Sequence, residues 1–208
     1  MDDSVVVALF RHGLTELNKQ KAYLGWTDAP LCDEASSDLA NLIFNRPYEL
    51  VVTSDLKRCL QTANLLFSEQ DAIVLQEFRE MNFGPWEGKT YAELAGDSYF
   101  EAWIGDPFNV TVPGVESYSN FSKRIENGWK QAAAMMTDKQ SKRLAIVTHG
   151  GVIRHVLSKY AHSQKGFWEW SVPHGNGIEM VWSSKEAFRR DERCTLLREV
   201  LLTENQNG

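Results

Sequence analysis

The chain has 208 residues, of which 43% are hydrophobic and 24% are charged, and its formal net charge is −6. This is the composition of an ordinary globular protein that is long enough to bury a full α/β core, and we predict a single domain over residues 1–208. The acidic balance, with a pI of about 5.4, argues against general binding to nucleic acid or to an anionic membrane surface.

The cysteines and the N-terminal residues indicate a cellular compartment. Cys32, Cys59 and Cys194 are odd in number, are widely spaced and form no Cys-x-x-Cys pair. That pattern is typical of free thiols in a reducing compartment. The N-terminus lacks the basic region of a signal peptide, and the apolar run Val5–Phe10 is too short to span a membrane. We therefore expect a soluble cytoplasmic protein, and a homodimer stays open as an alternative to a monomer.

Predicted strands alternate with predicted helices along the chain. Continuous apolar runs, typical of strands buried on both faces, occur at Val5–Phe10, Leu50–Thr53 and Leu144–Thr148, and a shorter run occurs at Ile73–Leu75. Weaker strand patterns occur at Met180–Trp182 and Leu196–Leu201. Apolar residues spaced by three and four predict helices over Asp55–Phe67, from about Glu116 to Met136, and over Gly151–Tyr160. This alternation predicts an α/β fold, a three-layer sandwich whose mainly parallel central sheet is covered by helices on both faces.

Chemically active side chains follow four of the predicted strands. In chain order they are Arg11 with His12, Arg58, Glu80, and His149 with Gly150. Because ligands bind outside the carboxyl ends of parallel strands, we expect two histidines, two arginines and a carboxylate in one cleft. Glycine after each histidine allows a sharp turn and a close approach of a ligand to the backbone. A single histidine at a strand end is more often an ordinary loop residue, so the hypothesis depends on the whole set.

The position of Arg58 indicates an anionic ligand. Arg58 and Lys57 fall in the predicted first turn of a helix, where the macrodipole disfavours cations. A bound phosphate group favours a helix N-terminus and pairs well with arginine, so it explains this position better than a misplaced surface residue does. Two residues are candidates for the carboxylate of the predicted cleft, Glu80 and Glu87, because both lie in the same aromatic loop.

Five segments occur in the order found in a known family: Arg11–Asn18, Gly25–Leu31, Thr53–Ala63, Glu80–Gly88 and Thr148–Arg154. Together they resemble the histidine phosphatase superfamily, the group built on the phosphoglycerate mutase fold. The resemblance implies an enzyme that moves the phosphoryl group of a small-molecule phosphomonoester through a phosphohistidine, with no metal and no other cofactor. Within the family, residues 83–117 most resemble α-ribazole phosphatase-like and broad-specificity members.

The resemblance also implies a role for each residue of the cleft. The implied catalytic residues are Arg11, His12, Glu80 and His149. Among them His12 is the nucleophile and Glu80 donates a proton to the leaving group. The implied substrate-binding residues are Arg11, Asn18, Arg58, His149 and Gly150. This chemistry is sound, because a neutral imidazole can attack a phosphate dianion and fixed arginine donors stabilise the charge of the transition state.

Two other functions stay open. A mutase of this family passes the phosphoryl group between two hydroxyls and carries extra basic residues after the glutamate segment. Here Lys89 is the only lysine or arginine between Phe83 and Gly114, which favours hydrolysis. A non-catalytic phosphate-binding module is the second alternative. Such modules have lost the nucleophile or the acid, and this chain has both His12 and Glu80.

Several aromatic residues and histidines are candidates for the wall of the pocket. The tryptophans in question are Trp26, Trp86, Trp103, Trp168 and Trp170, and each one taken singly is more often a core or surface residue. His174 lies in a loop bracketed by glycines, just before a predicted strand, so a place in the site stays open for it. His155 and His162 are predicted on a helix surface and in a loop, outside the site.

Overall fold

The computed structural model describes residues 3–43, 47–200 and 203–204. Its strands are β1 (Val5–Arg11), β2 (Leu42–Ile43), β3 (Leu50–Thr53), β4 (Ile73–Val74), β5 (Arg143–Thr148), β6 (Gly177–Trp182), β7 (Leu196–Val200) and β8 (Thr203–Glu204). Its α-helices are α1 (Glu16–Lys19), α2 (Asp33–Ala40), α3 (Lys57–Leu66), α4 (Tyr91–Leu94), α5 (Ser98–Gly105), α6 (Tyr118–Asp138), α7 (Gly150–Tyr160) and α8 (Lys185–Arg189). Short 3₁₀ helices cover Gln76–Phe78, Gly84–Trp86 and Phe167–Glu169.

Six strands form the main sheet in the order β4-β3-β5-β1-β6-β7, and β2 pairs with β8 separately. The strands β4, β3, β5 and β1 run parallel to one another. The last two strands of the sheet, β6 and β7, are antiparallel to their neighbours. The prediction of a mainly parallel sheet is therefore confirmed, with a reversal at one edge.

Alternate residues of β1 face two apolar clusters, one on each side of the sheet. Val7 and Leu9 belong to the cluster that contains the buried faces of α6 and α7. Ala8 and Phe10 belong to the second cluster, which contains buried residues of α2 and α3. Since helices cover the sheet on both faces, the three layers predicted from the sequence are present.

The predicted element bounds agree with the structure to within a few residues. The helix predicted from Asp55 begins at Lys57, because Leu56 has an extended backbone and serves as the N-cap. The helix predicted from about Glu116 begins after Ser117, whose hydroxyl accepts the backbone N–H of Asn120. The predicted strand Leu196–Leu201 is observed as β7, and its last residue lies outside the described residues.

Two further observations concern the cysteines and the helices. Cys32, Cys59 and Cys194 are all free and all buried. Over the described part of the chain, every helix is too short or too polar to cross a membrane.

Candidate active site

The carboxyl ends of β1, β3 and β5 meet at one edge of the sheet. In the parallel register Arg11 lies beside Thr148 and Thr53 lies beside Val147. The chain therefore leaves these strands at one place, and the ring centroids of His12 and His149 are 5.1 Å apart. The predicted convergence of strand ends is confirmed for these residues.

Hydrogen bonds fix the orientation of the His12 ring. Its Nδ1 lies 2.7 Å from the Gly13 carbonyl oxygen, so Nδ1 carries the proton and Nε2 keeps its lone pair. The Gly13 N–H donates to Thr62 Oγ1, and the Thr62 hydroxyl donates to the Arg58 carbonyl oxygen. Burial, together with the charge of Arg58 and then the neighbouring His174, holds the pKa of His12 well below its usual value. His12 is thus a neutral imidazole with one free lone pair, which is the nucleophilic form.

Arg58 is held at the start of α3 with 0% of its surface exposed. Its Nη1 donates to the Thr27 carbonyl oxygen over 2.9 Å, and its Nη2 donates to the Gly25 carbonyl oxygen over 2.6 Å. Its Nε donates to His149 Nδ1 over 3.3 Å. Burial lowers the pKa of Arg58, but a guanidinium stays protonated in proteins. The result is a rigid cation beside both histidines.

His149 is the N-cap residue of α7 and is fully buried. Because its Nδ1 accepts a hydrogen bond from Arg58, its proton is on Nε2, which lies 3.1 Å from Ser54 Oγ and 3.4 Å from Cys59 Sγ. Burial and then the charge of Arg58 lower the pKa of His149 well below the usual value. In this structure His149 is a neutral N–H donor, and the dianionic charge of a bound phosphate would favour its protonation.

Arg11 approaches the site from the end of β1. Its Nη1 donates to the Val172 carbonyl oxygen over 3.0 Å, and its buried Nε has no hydrogen-bond partner among the described residues. The guanidinium passes over Gly150, where an added methyl group would lie 3.2 Å from Arg11 Cζ. Burial lowers the pKa of Arg11. Gly150 therefore serves by letting Arg11 lie against the backbone at the helix N-terminus.

The Glu80 carboxylate lies at the start of α7. Its Oε2 accepts the N–H of Gly151 over 2.8 Å, and its Oε1 accepts the N–H of Met81 over 3.0 Å. A methyl group added at Gly151 would lie 2.3 Å from Glu80 Oε1, so this close approach requires glycine. Each carboxylate oxygen keeps a second lone-pair direction that can hold or take a proton.

The alternative carboxylate, Glu87, is occupied by the backbone. Its Oε1 accepts the N–H groups of Trp26 over 2.7 Å and Phe83 over 3.2 Å, and its Oε2 accepts the N–H of Thr27. Glu87 thereby clamps the loop whose carbonyl groups hold Arg58. These hydrogen bonds favour Glu80 over Glu87 as the reactive carboxylate.

Asn18 and the N-cap residue Thr15 form the capping box of the short helix α1. Its Oδ1 accepts both the backbone N–H and the hydroxyl of Thr15, over 3.3 and 3.0 Å. Its amide nitrogen donates no hydrogen bond within the described ranges, so that nitrogen is the group it can offer to a ligand. The structure thus gives Asn18 a local structural role beside the predicted contact with substrate.

His174, which the sequence left open, reaches the site. Its ring centroid lies 5.0 Å from that of His12, and its Nδ1 lies 3.1 Å from the His12 carbonyl oxygen. Burial, followed by the charge of Arg11, lowers the pKa of His174 to about 4. His174 is therefore a neutral neighbour of the predicted nucleophile.

The prediction that His155 lies on a helix surface is wrong. Only 8% of its surface is exposed, and its Nδ1 accepts the Tyr118 hydroxyl over 3.0 Å, because α6 covers this face of α7. Burial lowers the pKa of His155 to about 4. His162 is exposed in a loop, as predicted.

The five tryptophans that are candidates for the pocket wall have different surroundings. Trp86 and Trp170 are buried. Trp103 and Trp168 line a cavity of about 250 Å³ that also borders Glu80. The Trp26 Nε1 donates to the Glu80 carbonyl oxygen over 2.9 Å.

Three residues that were not predicted from the sequence also lie around Glu80 and His149. Arg124 Nη2 donates to the Glu80 carbonyl oxygen over 3.2 Å, and Arg124 is ion-paired with Glu116 at 2.8 Å. Ser54 lies beside His149, as described above. Arg154 lines the cavity next to Glu80 and lies three residues after Gly151 on the same helix. This spacing of three residues places Arg154 on the same face of the helix as Gly151, and it is the one sequence pattern from which Arg154 could have been predicted.

The comparisons with known proteins agree with this geometry. Residues 7–188 match the histidine phosphatase superfamily (branch 1), and the chain belongs to this superfamily. An adenosylcobalamin/α-ribazole phosphatase of Salmonella typhimurium is 28% identical over 175 residues, which cover 80% of this chain and 85% of that protein. A broad-specificity phosphatase of Saccharomyces cerevisiae is 33% identical over 179 residues, which cover 78% of this chain and 75% of that protein.

Solved structures show the same fold. The α-ribazole phosphatase of Shigella flexneri has a TM-score of 0.76 to this chain at 23% identity, and the match covers 95% of both chains. The predicted family, its phosphatase class and the phosphoglycerate mutase-like fold are therefore confirmed.

The buried histidines give stability a predictable dependence on pH. In unfolded chains histidine titrates at about 6.5, whereas the folded pKa values of His12, His149, His155 and His174 are all lowered. Below about pH 6.5 the unfolded chain therefore binds more protons than the folded chain, so stability is full above this pH and falls as pH decreases. We expect each histidine to remove on the order of 1 kcal/mol per pH unit of the free energy of unfolding between about pH 6.5 and its folded pKa.

Denaturant unfolding between pH 4 and 8 measures this dependence. Because carboxylates also titrate in this range, the variant His155→Gln isolates one histidine, and its stability should fall less steeply between pH 6.5 and 4 than that of the wild type. The exposed His162→Gln is the matched control and should keep the wild-type slope. An identical slope for His155→Gln and the wild type would contradict the expectation.

Proposed function

We propose that the protein is a phosphatase that hydrolyses small-molecule phosphomonoesters through a phosphohistidine on His12. The observation that carries this proposal is the His12 ring, whose Nδ1 is bonded to the Gly13 carbonyl so that Nε2 is a neutral nucleophile, in a site that also holds N–H donors. The donors belong to Arg11, Arg58 and His149. Membership of a family with phosphatase relatives supports the same reaction class.

In the proposed first step the P–O bond to the alcohol breaks as His12 Nε2 forms an N–P bond. Glu80 gives its proton to the departing oxygen, which leaves as the neutral alcohol. Arg11 and Arg58 donate to the oxygens that carry charge in the transition state, and His149 adds a further positive charge when the bound phosphate favours its protonation. The amide nitrogen of Asn18 and the backbone N–H of Gly150 complete the proposed binding set.

In the proposed second step a water molecule attacks the phosphorus of the phosphohistidine. The Glu80 carboxylate takes a proton from this water, and the N–P bond breaks as the new P–O bond forms. Inorganic phosphate leaves, His12 returns to its neutral form, and Glu80 is protonated again. The residues of this chain account for every proton in the cycle, so the proposed reaction uses no metal or other cofactor.

The proposal extends to the setting of the enzyme. We take residues 1–208 as a single catalytic domain in the cytoplasm, which three free, buried cysteines support. The partner is the small-molecule substrate, with neither nucleic acid nor membrane as a ligand, and a second copy of the chain is the protein partner to test.

Hydrolysis is favoured over mutase transfer by the residues near Glu80. The cavity beside Glu80 is lined mainly by aromatic side chains, with Arg154 as its one cation among the described residues. A panel of sugar phosphates, phosphoglycerates, nucleotides and α-ribazole phosphate tests the proposal. We expect release of inorganic phosphate and no conversion of one phosphoglycerate isomer into another. Isomer conversion without phosphate release would contradict it.

Substitution of Gly151 by alanine should separate activity from stability. The added methyl group would displace the flexible end of Glu80, whereas alanine is the better helix former by about 1 kcal/mol. We expect kcat/KM for an alkyl phosphate to fall by about 10²-fold while the Tm stays the same or rises. Gly105→Ala is the control, because a methyl group there meets nothing within 4 Å. Full activity of Gly151→Ala would show that the contact between Glu80 and Gly151 is unimportant.

A further inference from the structure

A cavity of about 250 Å³ opens next to the phosphoryl-binding residues. Glu80 and Gly151 are among the residues that line it, whereas His12, Arg58 and His149 do not line it. Under the proposed function, on which this inference rests, Glu80 protonates the oxygen of the departing alcohol. The alcohol must therefore lie on the Glu80 side of the phosphorus, which is the side of this cavity.

The wall of the cavity is aromatic. Of the fourteen described residues that line it, eight are aromatic, including Tyr23, Phe83, Trp103, Phe108 and Trp168. Arg154 is its only cation in that set, and its Nε is engaged by the Trp170 carbonyl oxygen at 3.0 Å. A polar sugar acid would lose its hydration in this cavity and find few hydrogen-bond partners. A planar aromatic ligand would instead pack against the faces and edges of the aromatic side chains.

Five rings of the aromatic wall pack against one another: Phe108, Tyr118, Phe121, Phe167 and Trp168. Phe108 packs edge-on against Tyr118 with centroids 4.7 Å apart, and Tyr118 is fixed in turn by its hydroxyl bond to His155. The guanidinium of Arg154 lies 5.4 Å from the centre of the Trp168 ring. Two rings of the wall are nevertheless partly open to solvent, since Trp168 is 57% exposed and Phe108 is 39% exposed. Exposed apolar rings at the rim of a cavity are typical of a ligand-binding surface.

We infer that this cavity binds the leaving group and that the preferred substrates are phosphomonoesters of alcohols that carry an aromatic ring system. The size of the cavity agrees with this class, because a cavity of about 150 Å³ accommodates benzene. The space of about 250 Å³ therefore holds a ring system with the short chain that joins it to the phosphate. Trp168 and Phe108 determine the specificity at the rim.

Two alkyl phosphates with similar leaving-group reactivity test the inference: 2-(1-naphthyl)ethyl phosphate and ethyl phosphate. We expect the wild type to have a kcat/KM at least about 10-fold higher for the naphthyl compound. Trp168→Ala and Phe108→Ala should each reduce this preference by about 5-fold or more, with the larger part of the loss in kcat/KM for the naphthyl compound. Tyr99→Ala is the matched control, because Tyr99 is also 57% exposed and does not line the cavity.

Equal kcat/KM values for the two compounds in the wild type, or an unchanged preference in both rim variants, would overturn the inference. Titration of both compounds into the His12→Asn variant measures binding without chemistry. Tighter binding of the naphthyl compound there, together with no turnover of either compound by the wild type, would refute the proposed function and keep the assignment of the cavity. Turnover of both compounds with no preference in rate or binding would refute the assignment alone.

Discussion

Replacement of His12 by asparagine is expected to lower kcat for phosphate release by a factor of about 10⁴ or more. Asparagine keeps a polar group of similar size, but it has no nitrogen lone pair that can form the N–P bond. The loss should be the same for good and poor leaving groups, because no substrate can bypass the missing nucleophile. Steady-state phosphate release with an alkyl and an aryl phosphate measures this effect.

The matched control for this substitution is His162→Asn, at an exposed loop position. It should keep wild-type kcat and KM. Circular dichroism and the Tm must show that His12→Asn is folded, which we expect because the buried neutral imidazole is replaced by an amide that can also donate to the Gly13 carbonyl. A folded His12→Asn variant with more than about a tenth of wild-type activity would rule out His12 as the nucleophile.

Replacement of Glu80 by glutamine is expected to affect poor leaving groups far more than good ones. The single amide oxygen can still accept the N–H of Gly151, whereas the amide nitrogen cannot accept the N–H of Met81 and has no acidic proton to donate. We expect kcat/KM for an alkyl phosphate to fall by about 10²- to 10⁴-fold. The fall for 4-nitrophenyl phosphate should be much smaller, since that leaving group departs without a proton and kcat/KM reports the first step.

Glu69→Gln is the control for charge, because Glu69 is exposed and lies outside the site. Equal losses for the two substrates with Glu80→Gln would indicate a role in binding or folding instead of proton donation. An unchanged kcat/KM for the alkyl phosphate would transfer the role to another group. Glu87 is a poor candidate for that role, since three backbone N–H groups already occupy its carboxylate.

The central strands could be predicted because strands buried on both faces are continuous apolar runs. The observed β1 and β5 differ from the predictions Val5–Phe10 and Leu144–Thr148 by one residue each. The helices α1 and α4 were missed because each has four residues, too few for a periodic pattern, and each depends on a capping box. The antiparallel direction of β6 is set by tertiary pairing with β1, which no local pattern contains.

In the site, too, features with a local sequence pattern could be predicted, whereas features set by tertiary contacts could not. His12 and His149 each follow a buried parallel strand directly, so their proximity could be predicted from the sequence. His174 comes from the loop before β6, and it is held there because the Gly175 N–H donates to the Arg11 and His12 carbonyl oxygens. That contact joins residues far apart in the chain. His155 was misplaced for a related reason, since the covering residue Tyr118 belongs to another helix.

The most direct test of the proposed mechanism is to trap the covalent intermediate. The enzyme is mixed with a ³²P-labelled alkyl phosphate, quenched in alkaline denaturant within milliseconds, digested and analysed by mass spectrometry. The proposed mechanism predicts one base-stable, acid-labile phosphoryl group on the peptide that contains His12, and none in the folded His12→Asn variant. Release of phosphate without any labelled peptide, or a label on a residue other than His12, would contradict it.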